Sequence, residues 1–417
     1  MSNWRSEKLG NLVASGGGKI HTGPFGSQLH ASDYVDEGIP CVMPANMKGN
    51  RVDLTDIAFI SEHDAKRLSK YIVQEGDLVY SRRGDVTQKA LIRQKEAGYF
   101  CGTGCLLLRP GKHIDPKFLT YYLSTPTIQN WIVSQAVGAT MPNLNTGILK
   151  SVPFSGPEKD VQEKISTVLT AIDYKIELNN RINSELVAMA KTLYDYWFVQ
   201  FDFPDANGNP YKSSGGKMVY NAVLKREIPE GWKVLSLWNI ASYFNGLAMQ
   251  KYRPVDDNHL PVIKIKEMNE GISSDTEKAR PDIPAGAIID DGDVLFSWSA
   301  TLDVKLWSQG KGALNQHIFK VTSQNYSKSF YFFELKNYLA HFKMMAERRK
   351  TTMGHITQDH LKQAFVSIPE KMLINRMDEK LQPVFQKQLH LHKENQHLTR
   401  LKDWLLPMLM NGQVTVK

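Results

Sequence analysis

The 417-residue sequence is poor in most of the devices by which an enzyme announces itself. It has only three cysteines, Cys41, Cys101 and Cys105. Their spacing in FCGTGCLLL is not that of a zinc site, so buried free thiols in a reducing compartment are expected. No apolar run approaches a membrane span, and MSNWRSEKLGN at the start has no apolar signal core, so a cytoplasmic location is expected. HExxH, GxSxG and Cys/His metal clusters are missing. GGGKI at 16–20 fails the phosphate-loop spacing and lacks the Ser or Thr after its lysine. A glycine-rich methyl-donor turn and an Asn/Asp-Pro-Pro-aromatic loop are both lacking. One pattern, Pro281-Asp282 ahead of Asp303-Val304-Lys305, resembles the acids and lysine of metal-dependent nucleases, but it is degenerate. Catalysis, cofactor and metal are therefore not expected. Acidic residues are also in deficit: 51 Lys and Arg against 43 Asp and Glu leave a formal charge of +8. That balance favours a polyanionic partner, most simply nucleic acid.

What the chain does have is a second copy of itself. GATMPNLNTGILKSVPFSGPEK (138–159) aligns with KTTMGHITQDHLKQAFVSIPEK (350–371), both ending on Pro-Glu-Lys. Thr140 and Met141 fall on Thr352 and Met353; Leu149 and Lys150 fall on Leu361 and Lys362. Upstream, Trp4, Leu9 and Asn11 face Trp232, Leu237 and Asn239 at a slightly larger offset, which means loops of different length on one scaffold. Each copy reads as short strands followed by aromatic-rich helices that start at Asp115-Pro116 and Thr125-Pro126 or carry FYFFEL (330–335). Strands with segregated helices imply an α+β unit.

After each Pro-Glu-Lys the pattern changes to a long helix, with Pro157 and Pro369 suited to a first helical position. Apolar or asparagine positions recur at Ile165, Leu169, Ile172, Ile176, Asn179, Asn183, Leu186, Met189, Leu193 and Tyr196. They recur again at Met377, Leu381, Val384, Gln388, Leu391, Asn395, Leu398, Leu401, Leu405 and Met408. Alternating steps of four and three predict a coiled-coil seam, with a doubled step of three after Asn183 and Asn395. Two ordinary amphipathic helices, each packed on its own domain, are the alternative. Helices of roughly 40 residues would each be about 60 Å long. The Gly-, Pro- and Asn-rich stretch between the copies reads as a connector.

The copies share a frame, (E/D)GD then an apolar strand then Ser81 or Ser297, and then diverge. Arg82-Arg83-Gly84 stands against Trp298-Ser299-Ala300. A duplicated catalytic device would keep its reactive groups, whereas duplicated readers of different sequences would keep the scaffold and vary the tips. Arginine suits guanine edges and phosphates. A solvated arginine pair at a strand end is the bland alternative. By the same logic TGPFGSQLHASDY (22–34), NGLAMQKYR (245–253), VGATMPNLN (137–145) and AERRKTTMGHI (346–356) are further tip loops.

On the two-copy layout, the helices after Pro-Glu-Lys, the connector FDFP…NGNPYKSSGGKMVYN…REIPEGW, TGPFGSQL and the repeated (E/D)GDxxxS, the chain resembles the specificity subunit of a type I restriction–modification system. The resemblance implies two similar target recognition domains separated by an antiparallel coiled coil in a pseudo-two-fold repeat. The boundaries are residues 1–157 (first recognition domain), 158–200 (first spacer helix), 201–228 (connector), 229–369 (second recognition domain) and 370–410 (second spacer helix). It implies a non-catalytic subunit that reads a bipartite, asymmetric double-stranded DNA target. Its partners would be two methyltransferase and two restriction (motor-nuclease) subunits, with S-adenosylmethionine held by the methyltransferase. The candidate DNA contacts are Thr22, Ser27, Gln28, Ser81, Arg82, Arg83, Thr140 and Asn143 in the first copy. In the second they are Lys251, Tyr252, Trp298, Ser299, Arg348, Arg349, Lys350 and Thr351. A single-chain metal-dependent endonuclease and a coiled-coil adaptor that binds no DNA are the competing functions.

Overall fold

The computed structural model describes residues 4–136, 142–348 and 355–416. They are organised in two compact units, Met1–Lys175 with Leu398–Lys417, and Ile176–His397. Both are mixed helix and strand, and a 40-residue helix runs through each half of the sequence, Lys159–Phe198 and Lys371–Met410. Among the described residues no helix is long and apolar enough to cross a membrane.

In the first unit the strand Arg5–Lys8 pairs antiparallel with Pro153–Gly156. A four-stranded antiparallel sheet follows, in which Cys105–Arg109 lies between Lys19–Thr22 and Leu78–Ser81, with Lys89–Leu91 at one edge. A second four-stranded sheet carries Ile39–Val42 parallel to Phe100–Cys101. The second unit repeats each part of this plan. Lys233–Ser236 pairs with Phe365–Ile368; Ile318–Thr322 lies between Ser242–Asn245 and Val294–Ser297; Leu260–Ile263 runs parallel to Gly312–Leu314. The helix starts foreseen at Asp115-Pro116 and Thr125-Pro126 are present, and the Asp115 carboxylate accepts from the Phe118 N–H as an N-cap.

Within each unit the two long helices pack against one another in opposite directions. In the first, Ile165 and Leu169 share a core with Leu405 and Leu409, while Asp173 pairs with Lys402 at 2.8 Å. In the second, Asn179 donates to Glu394 and Asn395 at 2.8 and 2.9 Å, and Leu193 and Tyr194 share a core with Leu381 and Phe385. Two details of the expected seam are corrected. The helices begin at Lys159 and Lys371, so Pro157 and Pro369 precede them rather than occupying their first positions. The doubled step of three is also absent. Met189 is 67% exposed, whereas Ala190 is 3% exposed and inside; Leu401 is likewise exposed, and the adjoining Lys402 makes the ion pair. An unbroken alternation of four and three holds the stripe on one face, so after Leu186 the next inward position is residue 190. Hydrophobicity alone pointed to the larger neighbour.

Candidate functional site

The frame Ser-then-tip is built by backbone hydrogen bonds that connect segments distant in sequence. In the first unit, the Arg82 N–H donates to the Gly104 carbonyl (2.9 Å) and the Arg82 carbonyl accepts from Leu144 (2.8 Å). Arg83 forms a bridge with Asn143. In the second unit the Trp298 N–H donates to His317 (3.3 Å), its carbonyl accepts from Ile356 (2.9 Å), and Ser299 bridges to His355. Two further bonds have the same parentage. Gly23 donates to Cys105 and Gly246 to Ile318; Gly102 donates to Val42 and Asn315 to Ile263. A Cβ on Gly23 would lie 2.3 Å from the Gly102 carbonyl oxygen, and one on Gly246 would lie 2.1 Å from that of Asn315. Glycine is required at both positions because backbone passes directly over backbone there.

The serines belong to the frame, not to its surface. Ser81 and Ser297 are buried; the Ser81 hydroxyl donates to the Arg83 carbonyl at 2.9 Å, and that of Ser297 donates to Thr301 at 2.6 Å and accepts from the Asp303 N–H. Ser299 is buried as well, so of the three residues 297–299 only Trp298 shows part of its side chain. Gly84, at φ +74°, lets the chain reverse directly after an exposed Arg83.

Around this frame the structure gathers some of the expected contact residues and separates others. Arg82 lies over the ring of Phe25 at 5.7 Å and its Nε donates to the Asn143 carboxamide at 3.3 Å. Thr22 ends the strand leading into that same loop, and Ser27 is exposed on it. Gln28 is engaged internally: its Oε1 accepts from the Tyr71 hydroxyl at 2.7 Å. In the second unit the Trp298 indole N–H donates to Asn245 at 2.9 Å, and its ring lies 5.5 Å from His317 and 5.7 Å from His355. Lys251 is exposed on a short turn, and Tyr252 lies under the guanidinium of Arg280 at 5.5 Å. Arg348 closes the helix Lys328–Arg348. Thr140, Arg349, Lys350 and Thr351 lie outside the described residues. Phe25, Asn245 and His355 lie in loops expected at the tips but were not singled out there, and His317 lies outside all of those loops. Aligning the strands by register, Cys105 on Ile318, would have found His317.

The nuclease-like residues have other employment. Asp303 is held by Lys336 at 3.2 Å and Lys305 at 3.6 Å, and Asp282 by Arg280 at 3.1 Å. Among the described residues no group of three or more His, Cys, Asp or Glu could hold a metal ion.

Two buried ionisable groups also distinguish the units. Lys89, opposite Tyr80 in the first unit, occupies the place of Val304 opposite Phe296 in the second. Burial pushes its ammonium down to about 7, against a smaller opposing pull from Asp85. In the second unit Glu334 lies on a cavity of about 680 Å³ with Arg226, Asn337 and His341. Burial pushes its carboxyl up to about 7, although the Tyr194 hydroxyl donates to it at 2.7 Å.

The comparisons with known proteins agree along the length of the chain. The family described as the type I restriction modification DNA specificity domain matches residues 1–188 and again 229–399. The type I restriction enzyme MjaIX specificity subunit of Methanocaldococcus jannaschii is 25% identical, over 86% of this chain and 82% of its own. The HindI specificity subunit of Haemophilus influenzae is 23% identical, over 83% and 88%. The crystal structure of a type I S subunit from M. genitalium shares the fold with a TM-score of 0.55 at 16% identity, covering 98% of this chain and 96% of that one. A repeated frame with divergent tips, matched twice by one family, places the chain: it belongs to the family of type I restriction modification DNA specificity domains.

Proposed function

We propose that the chain is the non-catalytic, sequence-reading subunit of a type I restriction–modification complex. It recognises a split, asymmetric double-stranded DNA site and positions methyltransferase and restriction subunits, two of each, on it. Residues 1–157 read one half-site and 229–369 the other, and the long helices 158–200 and 370–410 carry them. The observation that supports this reading most directly is the coincidence of four backbone connections in both units around tips built from different residues, Arg82-Arg83 against Trp298-Ser299. Conserved scaffolding under variable tips is the arrangement that two readers of different sequences require, since base identity is read by side chains at groove edges.

The test uses the chain assembled with its methyltransferase partner. Sequencing of the bases methylated in a randomised DNA library should return two defined half-sites at a fixed separation. Binding measured across a salt series should weaken steeply, because phosphate contacts release counterions. A complex that binds DNA without a defined site, or whose binding ignores salt, would defeat the reading. Metal-dependent cutting by the chain alone, lost in Asp303→Ala, would replace it with a nuclease.

A further inference from the structure

The same backbone bonds define a second turn beside each tip. Gly102-Thr103-Gly104 in the first unit and Asn315-Gln316-His317 in the second occupy one place. Each begins with the N–H that binds the parallel strand (Val42 or Ile263) and ends with the carbonyl that anchors the tip (Arg82 or Trp298). Two of the three residues in the first turn have no side chain. In the second turn all three do, and they are polar.

Those side chains continue the Trp298 cluster. The Asn245 carboxamide accepts from the Trp298 indole, the Trp298 ring neighbours that of His317, and the Gln316 amide nitrogen approaches His317 Nε2 at 3.5 Å. Asn245, Trp298, His317 and Gln316 thus form one row across the tip. Asn245 is exposed, and Gln316 and His317 are part-exposed, whereas Asn315 is buried and serves the frame. His317 Nδ1 is enclosed and has no protein partner. A row with a carboxamide at each end and aromatic rings between them has the chemistry to meet the edge of a base pair. Carboxamides satisfy the acceptor and donor of adenine, N7 and N6, together.

We propose that the turn 315–317 is a base-reading loop of the second unit. Gln316 contacts an adenine edge in the major groove, and His317, tilted against the Trp298 ring, holds it in place. The proposal rests on the DNA-reading function above and adds to it a named base class and a named residue. The first unit has no equivalent, since its turn offers only Thr103.

The test is the same library profile, with the chain carrying Gln316→Ala, Gln316→Asn or His317→Ala in its methyltransferase complex. Gln316→Ala should lower discrimination roughly tenfold at one A·T position of one half-site. The other half-site stays unchanged, which also reports that the variant is folded. His317→Ala should loosen the same position to a smaller extent, and Gln316→Asn, which keeps the carboxamide, should retain more of it than Gln316→Ala does. A wild-type profile in Gln316→Ala overturns the proposal. So does an even loss over all sequences, which would make Gln316 a phosphate contact. If the unsubstituted complex itself returns no defined site, the DNA-reading function fails, and that outcome is separate from failure of this turn alone.

Discussion

In one unit the residue after the frame serine is an arginine resting on Phe25 and tied to Asn143; in the other it is a tryptophan tied to Asn245 between two histidines. Their backbones make the same two long-range hydrogen bonds. Main-chain donors and acceptors are indifferent to the side chain they carry, so a frame held by them leaves the tip free to change. What cannot change is the backbone approach beneath it. Gly23 and Gly246 are alike for the same reason that Arg82 and Trp298 are unlike.

That contrast is open to direct attack. The largest effect should come from the shared part. Gly23→Ala and Gly246→Ala each force a Cβ against a carbonyl oxygen, and each should destabilise its own unit by about 3 kcal/mol. Urea unfolding followed by hydrogen exchange, read on peptides of each unit, should show matching losses. If either variant is neutral, the frames are not equivalent.

The next effect separates the units by pH. Glu334 has a folded value of about 7 against an ordinary 4.5, so between those values the folded second unit holds its proton more tightly than the unfolded chain. Stability therefore falls as pH rises through that window. Lys89 has the opposite sign. Its folded value of about 7 lies below an ordinary 10.5, so the unfolded chain holds the proton more tightly and the first unit gains stability as pH rises from about 7 toward 10. Glu334→Gln should flatten the profile of the second unit, and Lys89→Met that of the first. Profiles that remain sloped after substitution would assign the pH dependence to other groups.

Arg83→Ala sharpens the comparison at the tips. It should weaken or relax one half-site only, by about 1–3 kcal/mol if the side chain makes a bidentate guanine contact. Equal loss over unrelated sequences would make it a phosphate contact instead. Smallest is the effect expected on the helix pair. Asn183 is buried and neither end of its amide has a protein partner, while Asn179 is hydrogen-bonded across the pair. Asn183→Leu should raise stability by about 1 kcal/mol, and Asn179→Leu, which removes the donor to Glu394 and Asn395, should not. A destabilised Asn183→Leu would mean that this amide does find a partner in solution.

The sequence alone revealed the duplication, the α+β texture of each copy, both long helices and the family, because these depend on local period and on similarity between segments of one chain. The lack of catalytic motifs was legible for the same reason. The sites were only half legible. Arg82, Arg83, Asn143 and Trp298 could be named as tip residues, but Ser81 and Ser299 could not be recognised as interior. Gln316 and His317 passed unnoticed because their counterparts in the first copy are Thr103 and Gly104. Met189 was taken for a seam residue because it is larger and more apolar than Ala190.

The errors at the tips have one cause. Sequence reports what a residue is and how often its kind recurs; it does not report which distant carbonyl its N–H will meet. The bonds from Arg82 to Gly104, from Leu144 to Arg82 and from Gly246 to Ile318 span tens of residues and form only when the sheets assemble. The chain's own pattern determined that there are two similar units and two long helices. Tertiary structure decided which side chains each unit presents at its tip, because only long-range backbone pairing fixes which way each one faces.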